Sequence, residues 1–124
     1  MYPWKGLVRR MSVQIIRDVL VDVVGAQVGH YAPDKSWADK YAVFGETGAP
    51  TAVSTDDTPE NLVLTGEIYY YTTEEFDKTV DRICMGLTEA GVSWGVTQIG
   101  YDAELRQISY QIHWEVACGP GEIY

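Results

Sequence analysis

Ile108-Ser109-Tyr110-Gln111-Ile112-His113-Trp114-Glu115-Val116 alternates apolar and polar residues without a break. That period of two belongs to a strand with one buried and one polar face. Gln107, Ser109, Gln111, His113 and Glu115 form the polar face. Working back along the chain, residues 92–101 form a strand with Val92, Trp94 and Val96 on one face, and Asp102-Ala103-Glu104 is a turn. These two segments predict an antiparallel hairpin.

Upstream of the hairpin, residues 62–71 place Leu62, Leu64, Ile68 and Tyr70 on one face and Val63, Thr65, Glu67, Tyr69 and Tyr71 on the other. The next residues predict a helix starting at Thr72, whose hydroxyl caps it while Glu75 reaches back and Tyr71 staples onto Phe76. Its buried stripe is Phe76, Val80, Ile83, Cys84 and Leu87, its outer face is charged, and Gly91 closes it.

The N-terminal half is plainer. Residues 9–24 read as a first helix, with Arg10, Gln14, Arg17, Asp18 and Asp22 recurring at helical spacing among apolar residues, and Gly25 as its end. Residues 25–40 read as loop, and Tyr41-Ala42-Val43-Phe44-Gly45-Glu46 as a short strand. Residues 47–61 carry prolines, glycine and the acidic group Asp56, Asp57 and Glu60 with no apolar period, the signature of a long exposed loop.

The expected fold is therefore α+β, a four-stranded, mainly antiparallel sheet with two helices packed on one face. With 124 residues, 46% of them hydrophobic and 22% charged, the chain suits one domain. Its core spans residues 9–116, preceded by an N-terminal arm at 1–8 and followed by a tail at 117–124, which alone should be mobile and could order on a partner.

Charge and motif content narrow the function. Nine Lys and Arg against eighteen Asp and Glu give a net charge of −9, which disfavours gripping a phosphate backbone. No apolar run approaches the roughly 18 residues that span a bilayer, and the N-terminus lacks the apolar core of a signal peptide, so no membrane association is expected. Two cysteines, Cys84 and Cys118, are too few for a disulfide framework and imply a reducing compartment.

Catalytic and cofactor signatures are missing. The junction Tyr70-Tyr71-Thr72-Thr73 has neither the glycines nor the lysine of a phosphate-binding turn. His30 and His113 could join Cys118, Glu115 or Asp34 around a metal, but no pair has zinc-site spacing, and surface histidines account for both. No serine lies in a nucleophile motif, and Asp56 and Asp57 are adjacent loop carboxylates without a tuning pocket. The expectation is a protein without catalytic activity, metal or cofactor.

What stands out instead is nine tyrosines and four tryptophans, several at positions pointing away from the core, notably Tyr69, Tyr71 and Tyr101. Aromatic residues so placed suit a protein interface, or else cover a sheet face under a loop. With Tyr2, Trp4, His113, Ile123 and Tyr124 they form the candidate subunit or partner surface.

The order helix, short strand, long acidic loop, strand, helix, hairpin resembles the tail terminator and tail completion proteins of long-tailed bacteriophages. Carrying the resemblance are Val13-Gln14-Ile15-Ile16-Arg17-Asp18-Val19-Leu20, Tyr41-Ala42-Val43-Phe44, Ile68-Tyr69-Tyr70-Tyr71-Thr72-Thr73-Glu74-Glu75 and the closing hairpin from Gly100-Tyr101-Asp102 through Val116. It implies a virion protein of the tail-neck region, assembled in the host bacterial cytoplasm as a homo-oligomeric ring, a hexamer in that family.

Such a ring caps the tail tube protein, meets the head-to-tail connector or adaptor proteins, and lets DNA pass through its lumen without specific binding. Asp56, Asp57 and Glu60 are the candidates for lining that lumen. Alternatives are another neck or tail-joining protein and, from a different class, a small ligand-binding or enzymatic α+β domain with a concave pocket.

Overall fold

The computed structural model describes residues 11–49, 62–119 and 121–124. The alternation that dominates the sequence becomes the middle of a sheet. The strand β3 (Leu62–Thr72) pairs antiparallel with β5 (Gln107–Cys118) over eleven residue pairs, Leu62 opposite Cys118 through Thr72 opposite Ile108. β5 pairs on its other side with β4 (Ser93–Asp102), also antiparallel, completing the expected hairpin. Asp102 tightens its turn, accepting the Glu104 and Leu105 amides at 3.0 and 3.1 Å.

On the other flank of β3 lies β2 (Tyr41–Gly48), antiparallel to it with a bulge at Glu46/Gly48. A fifth strand, β1 (Val28–His30), then runs parallel to β2, with Val28 opposite Ala42 and His30 opposite Phe44. The sheet is therefore five-stranded and mixed, in the order β1-β2-β3-β5-β4, rather than four-stranded. Three residues are too few to display a period of two, and a parallel partner is fixed by tertiary packing rather than by a turn, so β1 leaves no sequence signal.

Both helices cover one face of this sheet. From α1 (Gln14–Val24), Ile16, Val19 and Leu20 are buried; from α2 (Thr79–Glu89), Ile83, Cys84 and Leu87. They meet Phe44, Leu64, Ile68, Tyr70, Ile112, Trp114 and Val116 in a single core. α1 lies beside α2 over the β1–β2 side, and α2 reaches towards β4. Burial of these side chains at roughly 1.5–3 kcal/mol each is the main favourable term. Both cysteines are buried and reduced, and burial raises both thiols above their usual range.

Two helix starts differ from expectation. α1 begins at Gln14, and the Met11 amide ahead of it donates to the Ala117 carbonyl at 2.9 Å. Gly25, at φ 101°, ends α1 as expected. α2 begins at Thr79, about two turns after the expected start at Thr72. Thr72 stays in β3, fully buried, and its hydroxyl accepts the Glu74 amide at 3.0 Å in a turn. Phe76, expected in the core, is instead 85% exposed at φ 57°.

The residue that starts α2 is Asp77. Its Oδ1 accepts the Thr79 amide at 2.9 Å and its Oδ2 accepts the Tyr70 hydroxyl at 2.6 Å, tying the helix start to the C-terminal end of β3. Burial alone would raise this carboxyl, but hydrogen bonds from Tyr70, Thr79 and Thr72 hold it well below the usual carboxylate range. The Tyr70 hydroxyl is correspondingly pushed up to about 12, by burial and by that bond.

Candidate assembly surfaces

The sheet face opposite the helices carries no helix, and the pairing register decides what it displays. Tyr41 opposite Tyr71 and Tyr69 opposite Gln111 put an aromatic group at one end. The rings of Tyr41 and Tyr71 stack at 4.8 Å, Tyr69 and Tyr71 are 6.5 Å apart, and Trp37 leans on Tyr41 at 6.3 Å. Burial in this stack raises the Tyr71 hydroxyl, with Tyr41 and Tyr69 adding to the shift.

Next to the aromatic group the face turns polar. His113 lies opposite Glu67 across β3 and β5, and its Nδ1 is 2.6 Å from Glu67 Oε2. Gln111 Nε2 donates to Glu67 Oε1 at 3.1 Å, and His113 Nε2 sits 3.3 Å from Glu115 Oε2. The hydrogen bond to Glu67 is the main reason the His113 imidazole binds its proton more tightly than usual. With a carboxylate at each ring nitrogen, the imidazolium is satisfied as a double donor. This is a ladder of matched polar groups.

Tyr69, Tyr71 and His113 are thus brought together as sequence reasoning expected, joined by Tyr41, Trp37 and Glu67, whose part only the register reveals. Tyr101 is not with them. It pairs with Ile108, which faces the helix side with Thr72, so Tyr101 projects from the opposite face at the far end of β4. There it lines a hollow with Thr73, Glu75, Arg106 and Ile108.

β4 itself is an exposed edge. Trp94, Val96 and Ile99 pair with Trp114, Ile112 and Tyr110 and so share the helix-bearing face, yet α2 does not extend over them. Trp94 is held by its indole N–H donating to the Thr88 hydroxyl at 2.8 Å. Between it and α2 runs an apolar groove lined by Cys84, Met85 and Thr88, with Asp81 and Glu89 at its rim. The sequence assigned Trp94 and Val96 to the correct face but could not show that the face ends before reaching them.

At the opposite edge, α1 and β1 enclose a hollow of about 400 Å³ lined by Val13, Gln14, Arg17, Val28, His30, Phe44 and Tyr124. The C-terminal residues form part of its wall. Ile123 packs on the core and its carbonyl accepts the Val13 amide at 2.8 Å, while the Tyr124 carbonyl oxygen accepts from Gln14 Nε2 at 2.9 Å. The Tyr124 hydroxyl donates to Glu46, whose other oxygen is 2.6 Å from His30 Nε2. Burial alone would raise the Glu46 carboxyl, but these two bonds hold it below its usual range.

The tail expected to be mobile alone is thus placed against its own chain. Ile123 and Tyr124 belong to the α1–β1 edge, far from the tyrosine face. Tyr2, Trp4, Asp56, Asp57 and Glu60 lie outside the described residues. Among the described residues no three His, Cys, Asp or Glu side chains are grouped to hold a metal, and no helix is long and apolar enough to cross a membrane.

A mixed sheet with two helices on one face, an aromatic and polar open face and two unlike edges defines a small two-layer α+β domain. Among solved structures, the fold matches a chain of a structure described as the virion of a native gene transfer agent particle. The TM-score is 0.59 at 14% sequence identity, covering 97% of this chain and 100% of that one. No protein-family model matches the chain, and no curated protein matches it.

Proposed function

We propose that this chain is a structural subunit of a virion, and within that class a tail terminator: a ring that caps the tail tube and joins it to the head connector while DNA passes through. The observation that carries the reading is the end-to-end fold match to a chain of a virion particle, with neither chain holding a large part the other lacks. The resemblance in element order to phage tail terminators supplies the finer assignment within the neck.

The surfaces support an assembly role. A ring subunit needs two different contact faces, and the apolar groove at β4 and the hollow at α1–β1 are unlike one another. The open face offers stacked tyrosines beside a satisfied polar ladder, the mix of aromatic anchors and polar surround that protein interfaces use. A net charge of −9 lets a duplex slide past without being held. The chain acts in this reading as a building block rather than an enzyme, and needs no cofactor.

The test is location. Particles made with an epitope-tagged copy of the chain are purified and imaged by electron microscopy with antibody labelling. A terminator places the label at the junction of tail and head, with averaged images showing a ring there, six-fold if the family pattern holds. Label elsewhere along the tail moves the protein to another tail-joining role, and its absence from purified particles sinks the virion reading.

A further inference from the structure

We propose that the β4 edge of one copy of this chain docks into the α1–β1 edge of a second copy, a head-to-tail contact between the two opposite ends of the sheet. The inference rests on the assembly reading above and names its partner surface.

One half of the contact is β4. Along its ten residues, Ser93-Trp94-Gly95-Val96-Thr97-Gln98-Ile99-Gly100-Tyr101-Asp102, there is no charge before Asp102 and no proline. Natural edge strands are normally guarded by charge, proline, short length or a bulge, and of these β4 carries the bulge between Val96 and Gln98 and the single charge of Asp102. Trp94, Val96, Ile99 and Tyr101 form an apolar row on one face, with Ile99 63% and Tyr101 65% exposed. Met85 extends the row across the groove to α2. A contiguous apolar surface rimmed by charge marks an interaction site. Its rim is mainly acidic, with Asp81 and Glu89 beside the groove, Asp102 at the strand's end and Glu75 near Tyr101, against the single cation Arg106 beside Tyr101.

The other half is the hollow at the far edge. Val13, Val28 and Phe44 give it apolar walls, and Arg17 and His30 line its mouth. Glu46, the nearby carboxylate, is already engaged by His30 and Tyr124. An acid-rimmed apolar ridge and a hollow bearing a guanidinium complement each other in charge and shape.

Self-pairing of β4 with β4 is the competing arrangement, and the charges argue against it. A two-fold contact would bring the acidic rims of Asp81 and Glu89 together, whereas the opposite-edge contact sets them against Arg17. β1 is only three residues long, so the contact works through side chains entering the hollow rather than through continuation of the sheet. Joining different surfaces, such a contact propagates from copy to copy and closes when the rotation allows.

The test uses the full-length chain and two variants, each disabling one edge: Ile99→Asp on β4, and Gln14→Trp with Arg17→Glu in the hollow. All three positions are surface positions, and circular dichroism with a melting curve checks that each variant folds. Sedimentation velocity up to millimolar concentration should show the unaltered chain associating and each variant's self-association weakened by at least about tenfold in dissociation constant.

Mixing the two variants should restore association, but only to a heterodimer, because one intact edge remains on each chain. Arg17→Glu combined with Asp81→Lys in one chain should recover part of what Arg17→Glu alone loses. The contact is overturned if the mixture stays monomeric, if the hollow variant associates like the unaltered chain while Ile99→Asp does not, or if the unaltered chain is monomeric throughout. None of those outcomes removes the virion reading, which falls only if tagged protein is absent from purified particles.

Discussion

The indole of Trp114 occupies the space that a Cβ at Gly66 would need. A Cβ built at Gly66 would lie 2.1 Å from Trp114 Cζ2 and 2.4 Å from the Gly45 carbonyl oxygen. The two residues are directly opposite in β3 and β5, so the absence of a side chain on one strand is what admits the largest side chain of the core on the next. Gly66→Ala should therefore destabilise the domain by about 1–3 kcal/mol, as overpacking does. Pairing it with Trp114→Phe should cost less than the sum of the two single changes. Urea titrations of the four proteins measure this; an alanine variant as stable as the parent would show that the sheet yields without cost.

The bond between Tyr70 and Asp77 makes a second prediction. Tyr70→Phe leaves a buried carboxylate one donor short and should cost about 1–3 kcal/mol. Acid should act through the same group. The Asp77 carboxyl is held below its ordinary value in the folded chain, so its contribution is complete above the unfolded value of about 3.9 and is lost as pH falls through the folded one. Melting temperatures measured down the acid range should fall less steeply for Asp77→Asn than for the parent. Parallel curves would remove Asp77 as the source.

The same pair explains which parts of the fold were legible. Alternation in β3 and β5 is read directly from residues 62–72 and 107–118 because each strand has one face in the core and one outside it. The start of α2 was misread because Thr72 and Glu75 have the right spacing for a capping box, while the decisive interaction, Asp77 with Tyr70, spans two elements and has no local spacing. An Asp two residues before Thr79 was the only sequence trace of it. Placement on the open face was legible for Tyr69, Tyr71 and His113, which sit on strands with a clear period. Tyr101 was misplaced because β4 carries a bulge between Val96 and Gln98, which shifts the alternation by one residue.

His113 should give the protein a pH dependence of opposite sign to that of Asp77. Its hydrogen bond to Glu67 raises the imidazole's affinity for a proton in the folded state. The stabilisation is then fully present below the unfolded value of about 6.5 and is lost as pH rises through the higher folded value. Melting temperature should decline across that neutral-to-alkaline window, and His113→Gln should flatten the decline. Histidine proton resonances followed by NMR give the direct check; a His113 that titrates at or below the ordinary value refutes the account.

The C-terminal residues give the last prediction. The Val13 amide lies just before α1, where the first N–H groups of a helix have no intrahelical acceptor, and the Ile123 carbonyl supplies one from the far end of the chain. Ile123 also covers part of the core beneath. Removing residues 121–124 should thus loosen the start of α1 first, costing about 1–2 kcal/mol for one hydrogen bond and a partly buried side chain. Hydrogen exchange should quicken at Val13 and through the first turn of α1 while the amides of β3 and β5 keep their relative protection, because their pairing does not involve the tail. Tyr124→Phe, which removes only the bond to Glu46, should leave Val13 exchange nearly unchanged and free His30 and Glu46 to respond to one another alone. Unaltered exchange at Val13 in the truncated chain would mean that the tail does not hold this position in solution.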